Sequence, residues 1–215
     1  MKVVGIDEAG RGPVIGPLVI VGSMIEESKM DKLKELGVKD SKLITPKKRQ
    51  ILYKKILELT ENHILIIEPK EIDEVLESDT LNLNWLEAIK SAEIINVLKP
   101  EKAILDCPSP NIKAYEDYVR KHLIDKATPL HCEHKADVNH VIVGAASILA
   151  KVTRDNIIEE LKKKYGDFGP GYSSNPITQK YVEANFEKHP EIFRRTWATW
   201  KNHDNKKNQK NLDEF

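Results

Sequence analysis

The chain has 215 residues, of which 40% are hydrophobic and 32% are charged, a profile typical of a soluble globular protein with one sizeable core. Lysine and arginine together number 34, as do aspartate and glutamate, so the formal net charge is zero. Overall charge therefore gives no argument for a polyanionic partner, although a local basic groove can bind phosphates on a neutral protein.

No apolar run approaches the roughly 20 residues that span a bilayer, which excludes a helical membrane protein. The apolar stretch at residues 2–6 is too short for the core of a signal peptide, and we expect a cytoplasmic location. The only cysteines, Cys107 and Cys132, do not make a disulfide framework.

Hydrophobic patterning in the first half of the chain predicts strands at residues 2–8, 17–25 and 63–68. It predicts helices at residues 29–37, 46–59, 69–77 and 80–98. Thr45 is expected to cap the second of these helices, with Pro46 in its first turn. Between the first two strands, closely spaced glycines predict a turn.

The second half predicts strands at residues 102–106 and 128–133, and helices at 111–122 and 137–164. A glycine- and proline-rich loop follows Tyr165, and helices are predicted at 177–188 and 190–200. We expect a main domain over 1–165, a helical extension over 166–202 and a flexible tail over 203–215. Three strands followed by strand–helix alternation predict an α/β fold, a mixed sheet with helices on its faces.

Four acidic residues occupy positions from which their carboxylates can meet. Asp7 and Glu8 close the first strand, Asp106 closes a later strand and Asp137 starts a helix. Acids at the carboxyl ends of neighbouring strands converge on one edge of an open α/β sheet. Oxygen-only ligands suit Mg²⁺ or Mn²⁺, and two such ions about 4 Å apart can activate water and stabilise the leaving oxygen of a phosphodiester. The set therefore indicates a hard metal site and, less directly, phosphodiester chemistry.

Each acid alone has a simpler interpretation, because an aspartate after a strand is often a turn former or a helix cap. The glycine turn that follows them has an alternative too. Gly10-Arg11-Gly12 suggests dinucleotide binding, but Gly16 comes one residue too late for that motif and a strand follows instead of a helix. Such a turn can instead bring backbone amides close to a sugar or phosphate, with Arg11 supplying a charge-assisted contact.

Five ordered blocks of the sequence resemble one family, the type 2 ribonucleases H (ribonuclease HII), in its archaeal form. They span the chain from about residue 2 to residue 200 and comprise the stretch from Asp7 to Pro13 with Gly16-Pro17, Lys39 to Lys42, Leu105-Asp106, His134 to Asp137 continuing through Ala145 to Asp155, and Gly169 to Tyr172. The last block departs from the common pattern, since Ser173 and Ser174 follow the tyrosine where many relatives have other residues.

The resemblance implies an RNase H-like fold, a five-stranded mixed sheet flanked by helices with a helical C-terminal part. It implies cleavage of the RNA strand of RNA–DNA hybrids, and cleavage 5′ of single ribonucleotides in duplex DNA to give a 3′-hydroxyl and a 5′-phosphate. Mg²⁺ or Mn²⁺ would be held in a two-ion site. The residues that it assigns to the ions and the catalysis are Asp7, Glu8, Asp106 and Asp137.

The resemblance also assigns substrate contacts. Backbone groups of Gly10, Arg11 and Gly12 would recognise the ribose 2′-hydroxyl, the one group that marks RNA at a given position. Tyr172 would pack on the next sugar, where its alternative is an ordinary surface tyrosine. Candidate phosphate contacts, each equally compatible with a solvated surface, are Lys39, Lys42, Lys151 and Arg154.

Weaker signals lie near the fourth acid and at the chain end. Histidines 131, 134 and 140 cluster with Cys132, but no second cysteine pair supports zinc. His134 is a candidate for assisting proton transfer, whereas Trp85, Trp197 and Trp200 are expected to pack in the core.

The tail carries Gln209, Leu212 and Phe215 in the spacing of a sliding-clamp-binding peptide, which one 3₁₀ turn would present to an apolar pocket. We therefore expect three binding relationships: RNA–DNA hybrid as substrate, a sliding clamp as partner and no membrane. A monomer is the default expectation. The rival hypotheses are a different two-metal nuclease or nucleotidyl transferase of the same fold, which the five blocks disfavour, and an inactive hybrid-binding adaptor, which would lack an acid.

Overall fold

The computed structural model of the protein describes residues 1–38, 44–202 and 204. Its centre is one five-stranded sheet with strand order β3-β2-β1-β4-β5. Strand β1 runs antiparallel to β2, and β2 runs antiparallel to β3, whereas β4 and β5 join on the other side in parallel. This confirms the predicted mixed α/β sheet. The strands are β1 (Lys2–Ala9), β2 (Leu18–Glu26), β3 (Glu61–Ile67), β4 (Lys102–Asp106) and β5 (Leu130–Glu133).

Helices cover both faces of this sheet. The α-helices are α1 (Met30–Glu35), α2 (Pro46–Leu59), α3 (Pro69–Leu76), α4 (Leu83–Leu98), α5 (Ile112–His122), α6 (Ala136–Asn139), α7 (Val141–Tyr165) and α8 (Pro176–Asn185). Thr45 caps α2 as predicted, since its side chain accepts a hydrogen bond from the Lys48 amide at 3.4 Å and Pro46 opens the helix. In the described parts of the chain, no helix combines the length and hydropathy of a membrane span.

Alternation along β1 assigns its side chains to two cores. Val3 packs with α7 on one face, whereas Val4 and Ile6 pack with α4 on the other. Gly5 lets α7 approach the sheet, because a Cβ there would lie 2.5 Å from the backbone of Ile142. Helix α7, which carries several predicted site residues, is therefore seated directly against the strand that carries Asp7.

The helix predicted at 137–164 is interrupted. The backbone of His140 is extended, with φ −125° and ψ 114°, and it separates the short α6 from α7. Helix α6 is attached to the end of β4, since the amide of Ala136 donates to Asp106 Oδ1 at 2.8 Å. The chain changes direction at His140 because α6 is fixed to the sheet edge while α7 crosses the face of the sheet.

The prediction of a helix at residues 190–200 is wrong. Residues Pro190–Ile192 form a 3₁₀ turn, Phe193 forms a bridge with Ile15, and helical structure resumes at residue 198. The amide of Arg194 donates to the Val14 carbonyl at 2.9 Å. Burial of Phe193 and Arg194 against the loop after β1 therefore outweighs the local helical pattern, and a third hydrophobic core forms between that loop and the C-terminal part.

Candidate active site

The carboxyl ends of β1 and β4 bring three of the four predicted acids together. The two strands pair in parallel up to Ile6 and Leu105, and the acids come directly after this pair. Carboxylate oxygens of Asp7, Glu8 and Asp106 lie within 4.8 Å of one another. The three carboxylates thus meet at the edge of the sheet where the pairing of β1 with β4 ends.

Asp7 and Glu8 reach this cluster from opposite sides of the sheet. Asp7 is buried and accepts a hydrogen bond from Ser147 on α7. On the other side, the negative charge of Glu87 on α4 raises the pKa of Glu8. The backbone amide of Glu8 donates to Asp7 Oδ1 at 2.7 Å, which orients the Asp7 carboxylate. β1 continues to Ala9, but its pairing with β4 ends at Ile6, so Asp7 and Glu8 both lie beside the open end of β4.

Asp137 joins the site through α6. It is buried at the start of that helix and lines the same cavity of about 600 Å³ as the other three acids. The bond from the Ala136 amide to Asp106 holds α6 at this edge. The other lining residues named by the sequence argument are Gly10, Arg11, Gly12, Lys151, Arg154 and Tyr172.

The crowded carboxyls hold their protons unusually tightly. Burial raises the pKa of Asp7 well above its ordinary value, and the charges of Glu8 and Asp106 add to the shift. Burial also raises the pKa of Glu8 to about 8, with contributions from Glu87 and Asp106. Such shifts mark groups whose ionised forms need a compensating charge. A set of closely spaced carboxylate oxygens therefore fits a hard divalent cation such as Mg²⁺ or Mn²⁺.

The turn after the acids follows the cavity wall. Gly10 has φ 89°, and a Cβ on it would lie 2.3 Å from Nε of Arg154, so both conformation and space require glycine. A Cβ on Gly12 would lie 3.7 Å from the Tyr172 ring. Tyr172, which is expected to pack on a sugar, thus lies next to the turn that is expected to recognise the ribose. This tyrosine is 41% exposed.

Arg194 was missed by the sequence argument, yet it holds this turn from behind. Its side chain is fully buried and donates to three backbone carbonyls, Gly16 at 3.0 Å, Arg11 at 2.9 Å and Gly10 at 2.6 Å. Trp197 adds a bond from Nε1 to the carbonyl of Gly12 at 3.1 Å. The only sequence signal for this role is that an arginine directly follows the apolar pair Ile192-Phe193. The sequence pattern predicts a helix for this segment.

The side chain of Arg11 points to α4. Its guanidinium lies 2.5 Å from Glu87 Oε2 and 2.6 Å from Asn84 Oδ1. Burial raises the pKa of Glu87 to about 7, although the partner Arg11 opposes the shift. The guanidinium thus anchors the turn to α4. The substrate contact that the sequence predicts for Arg11 would therefore be made by its backbone. Glu87, an acid between Leu86 and Ala88 on α4, is the available sequence signal for this pair.

Three cations of α7 line the cavity, Lys151, Arg154 and Lys162, and the first two are the candidates for phosphate contacts that the sequence offers. Arg154 is buried, its Nη2 lies 3.4 Å from the Ile15 carbonyl and its guanidinium carbon lies 5.7 Å from the centre of the Tyr172 ring. Its Nε has no hydrogen-bond partner in the described part of the chain. Lys151 lines the cavity one turn earlier on α7. The other two candidates, Lys39 and Lys42, and the tail residues Gln209, Leu212 and Phe215 lie outside the described residues.

The remaining sequence candidates have other contacts. Nδ1 of His134 lies 2.9 Å from the Cys107 carbonyl, and His134 does not line the cavity. Cys107 and Cys132 are buried free thiols. Trp85 stacks on Tyr118 with ring centroids 4.3 Å apart, and Trp200 packs on aromatic rings of the C-terminal core, as expected of packing residues.

Comparison with known proteins agrees with the geometry. The family model described as Ribonuclease HII matches residues 4–200. A ribonuclease HII from Pyrococcus horikoshii is 45% identical over 223 residues, an alignment that covers 100% of this chain and 99% of that protein.

Two solved structures are similar over almost the whole chain. The crystal structure of the ribonuclease H2 from P. horikoshii OT3 superposes with a TM-score of 0.88 at 43% identity, and covers 96% of this chain and 98% of that one. The ribonuclease HII in a complex with PCNA from Archaeoglobus fulgidus gives a TM-score of 0.83 at 37% identity, over 92% of this chain and 95% of that one.

Proposed function

The chain belongs to the ribonuclease HII family, and from that premise we propose that it incises duplex DNA on the 5′ side of single embedded ribonucleotides. As a ribonuclease H it is a hydrolase that acts on RNA in RNA–DNA hybrids. The proposed products are a 3′-hydroxyl and a 5′-phosphate. One observation carries the proposal: the Gly10–Gly12 turn begins two residues after Glu8 and shares a cavity with the acids and Tyr172.

Recognition of the ribose is proposed to rest on the backbone of Gly10, Arg11 and Gly12. A 2′-hydroxyl both donates and accepts hydrogen bonds, so a fixed backbone at close range can distinguish it from a deoxyribose. The turn is fixed because Arg194 and Trp197 bind its carbonyls from the protein side. Since those carbonyls are occupied, the turn is rigid before substrate arrives, which lowers the entropic cost of binding.

Tyr172 is proposed to check the sugar that follows the ribonucleotide. Its ring lies beside Gly12 and is partly exposed to the cavity, so a deoxyribose can pack on it. An additional hydroxyl on that sugar would be crowded against the ring. The arrangement favours a junction of RNA and DNA over continuous RNA, and residues 166–202 would serve as the extension that supplies this ring to the catalytic part, residues 1–165.

Asp7, Glu8, Asp106 and Asp137 are proposed to hold two divalent cations, Mg²⁺ or Mn²⁺. When bound, these ions supply the Lewis acidity that phosphodiester hydrolysis needs. The four carboxylates fix where the scissile phosphate lies relative to the glycine turn. Lys151 and Arg154 on α7 add positive charge to the same cavity, where they can bind backbone phosphates on either side of the cut.

The tail is proposed to bind a sliding clamp through Gln209, Leu212 and Phe215. The relative from A. fulgidus has been solved in a complex with PCNA, which supports the same kind of partner here. Tethering would raise the local concentration of the enzyme on DNA without changing its active site. Removal of residues 209–215 should abolish clamp binding and leave incision of short duplexes unchanged; equal clamp affinity with and without the tail would contradict this assignment.

A panel of matched DNA duplexes tests the proposed incision. One strand carries, at a single position, a ribonucleotide, a deoxyribonucleotide or a 2′-O-methyl ribonucleotide, and Mg²⁺ or Mn²⁺ is supplied. We expect a cut only at the ribonucleotide, on its 5′ side, and loss of the cut after chelation. Cleavage of long RNA–DNA hybrid without any cut at a single ribonucleotide would contradict the proposal while leaving the ribonuclease H activity intact.

A further inference from the structure

A second cluster of metal-ligating side chains lies away from the cavity. His131 and Glu133 are on β5, the edge strand, and His140 lies between α6 and α7. One ligand atom from each of the three lies within 4.8 Å of the others. None of these three residues lines the active-site cavity, so the cluster is distinct from the carboxylates described above.

The backbone directs the three side chains to one point. His131 and Glu133 are two residues apart on a strand, so they project from the same face. Nε2 of His131 lies 3.2 Å from Glu133 Oε2, and Nε2 of His140 lies 2.9 Å from Glu133 Oε1. Two ligands of a tetrahedral ion at bond lengths near 2.0–2.1 Å are about 3.3 Å apart. Each imidazole nitrogen is already at about this distance from one oxygen of the Glu133 carboxylate, and one ligand atom from each residue lies within 4.8 Å of the other two.

Surrounding contacts hold the ligands in place. Asn139 Nδ2 donates to Glu133 Oε1 at 3.1 Å, and the two imidazole rings meet edge to face at 5.3 Å. The amide of His140 donates to the Ala136 carbonyl at 2.8 Å, which fixes its backbone at the start of α7. Such supporting bonds orient ligands and strengthen metal binding. The side chains are partly exposed, which leaves room for a water as a fourth ligand.

We propose that His131, Glu133 and His140 bind one divalent cation of the Zn²⁺ class. Two imidazole nitrogens and one carboxylate are a ligand set for Zn²⁺ and not for Mg²⁺, which prefers oxygen ligands. The active-site acids offer oxygen ligands only. The chain thus carries two metal sites of different chemistry, one for each kind of cation.

This site lies beside the segment that carries Asp137. Its ligands come from both ends of the segment 134–139, which contains Asp137. A bound cation would join β5 to the start of α7 and restrain the segment that supplies the fourth acid. The site would be structural, and no chemistry of the phosphodiester would pass through it.

Calorimetric titration of the full chain with Zn²⁺, in a large excess of Mg²⁺ that occupies the oxygen site, tests this proposal. We expect one Zn²⁺ to bind to the wild type. The double variant His131→Ala, His140→Ala should weaken the dissociation constant roughly 100-fold or more, because even supporting residues around a metal contribute about 10- to 100-fold. The matched control is His63→Ala on β3, the opposite edge strand, which should bind Zn²⁺ as the wild type does.

Thermal unfolding supplies a second readout that does not depend on nuclease activity. Zn²⁺ should raise the Tm of the wild type and of His63→Ala, and it should not raise the Tm of the double variant. Should the double variant fail to fold, Glu133→Gln, which keeps an oxygen for the imidazoles, should also weaken Zn²⁺ binding. Equal Zn²⁺ affinity in the wild type and the folded variants, or no binding at all, would show that the cluster is held by hydrogen bonds alone.

Discussion

Arg194 donates from Nη2 to the carbonyl oxygen of Gly10 at 2.6 Å, across 184 positions of sequence. The bond joins the C-terminal part to the turn that follows Asp7 and Glu8. Since Nη1 and Nε of the same guanidinium bind Arg11 and Gly16, one fully buried side chain determines the path of the whole turn. The C-terminal part therefore holds the turn that is proposed to recognise the ribose, and it also carries Tyr172.

Arg194→Lys should keep the fold and lose activity. A lysine retains the charge but cannot match the planar fork that serves three carbonyls. We expect incision at a single ribonucleotide to fall by about 10-fold or more, and Arg194→Ala to lower the free energy of unfolding by about 2–4 kcal/mol. Steady-state kinetics and urea unfolding measure the two effects. Arg195→Ala, in which a half-exposed neighbour is removed, is the control and should change neither; wild-type kinetics in Arg194→Lys would refute the positioning role.

Gly10→Ala should impair incision through the shape of the turn. Its φ of 89° costs an alanine about 1–2 kcal/mol, and the new Cβ would displace Arg154. Gly37→Ala is a matched control with φ 80°, where a Cβ meets, among the described residues, only the end of the Lys48 side chain at 3.7 Å. Both variants should lose stability, and only Gly10→Ala should lose about 10-fold or more of kcat/KM. Equal activity losses in the two variants would indicate a general folding defect.

The pH dependence of stability should reveal the strained carboxyls. The pKa of Glu8 is raised from 4.5 to about 8, so between these values the folded protein holds a proton that the unfolded chain releases. The free energy of unfolding of the metal-free protein should therefore decrease as pH rises from about 4.5 to about 8. Denaturant unfolding in chelator at several pH values measures this slope.

Glu8→Gln cannot ionise and should show a shallower slope, so it should be more stable than the wild type near pH 8. Glu58→Gln, which changes an exposed glutamate of α2, serves as the control and should follow the wild type. Mg²⁺ or Mn²⁺ should offset the loss of stability at high pH in the wild type and in Glu58→Gln, and should do so less in Glu8→Gln. If the free energy of unfolding of Glu8→Gln changes with pH as steeply as that of the wild type, the Glu8 carboxyl does not determine the pH dependence of stability.

Tyr172 should act through its ring and not its hydroxyl. Tyr172→Phe keeps the surface proposed to pack on the deoxyribose, so its incision at a single ribonucleotide should be close to wild type. Tyr172→Ala should incise roughly 10-fold more slowly, because it loses part of the free energy that burial of one aromatic side chain contributes. Kinetics on single-ribonucleotide and all-RNA hybrid substrates should show the larger loss on the former, and equal losses on both would argue against a role in checking the junction.

The sequence predicted the sheet and the acids because both depend on local patterns. Apolar runs ending in acids gave the strand ends of β1 and β4, and parallel pairing then brought Asp7 to Asp106. The break at His140 and the path of residues 190–200 were not predicted, since each is determined by contacts distant in sequence. Arg194 and Glu87 were missed for the same reason: their roles appear only when buried partners from other elements are known.

Asp7→Asn provides the most direct test of the assignment of the active site. The variant removes one negative charge from the carboxylate cluster and preserves the shape of the side chain. With a DNA duplex carrying one ribonucleotide and Mg²⁺ or Mn²⁺, the wild type should cut on the 5′ side of the ribonucleotide, and Asp7→Asn should retain almost no activity while keeping the wild-type fold. Incision by a folded Asp7→Asn at the wild-type rate, or no incision by the wild type beside the ribonucleotide, would contradict the account.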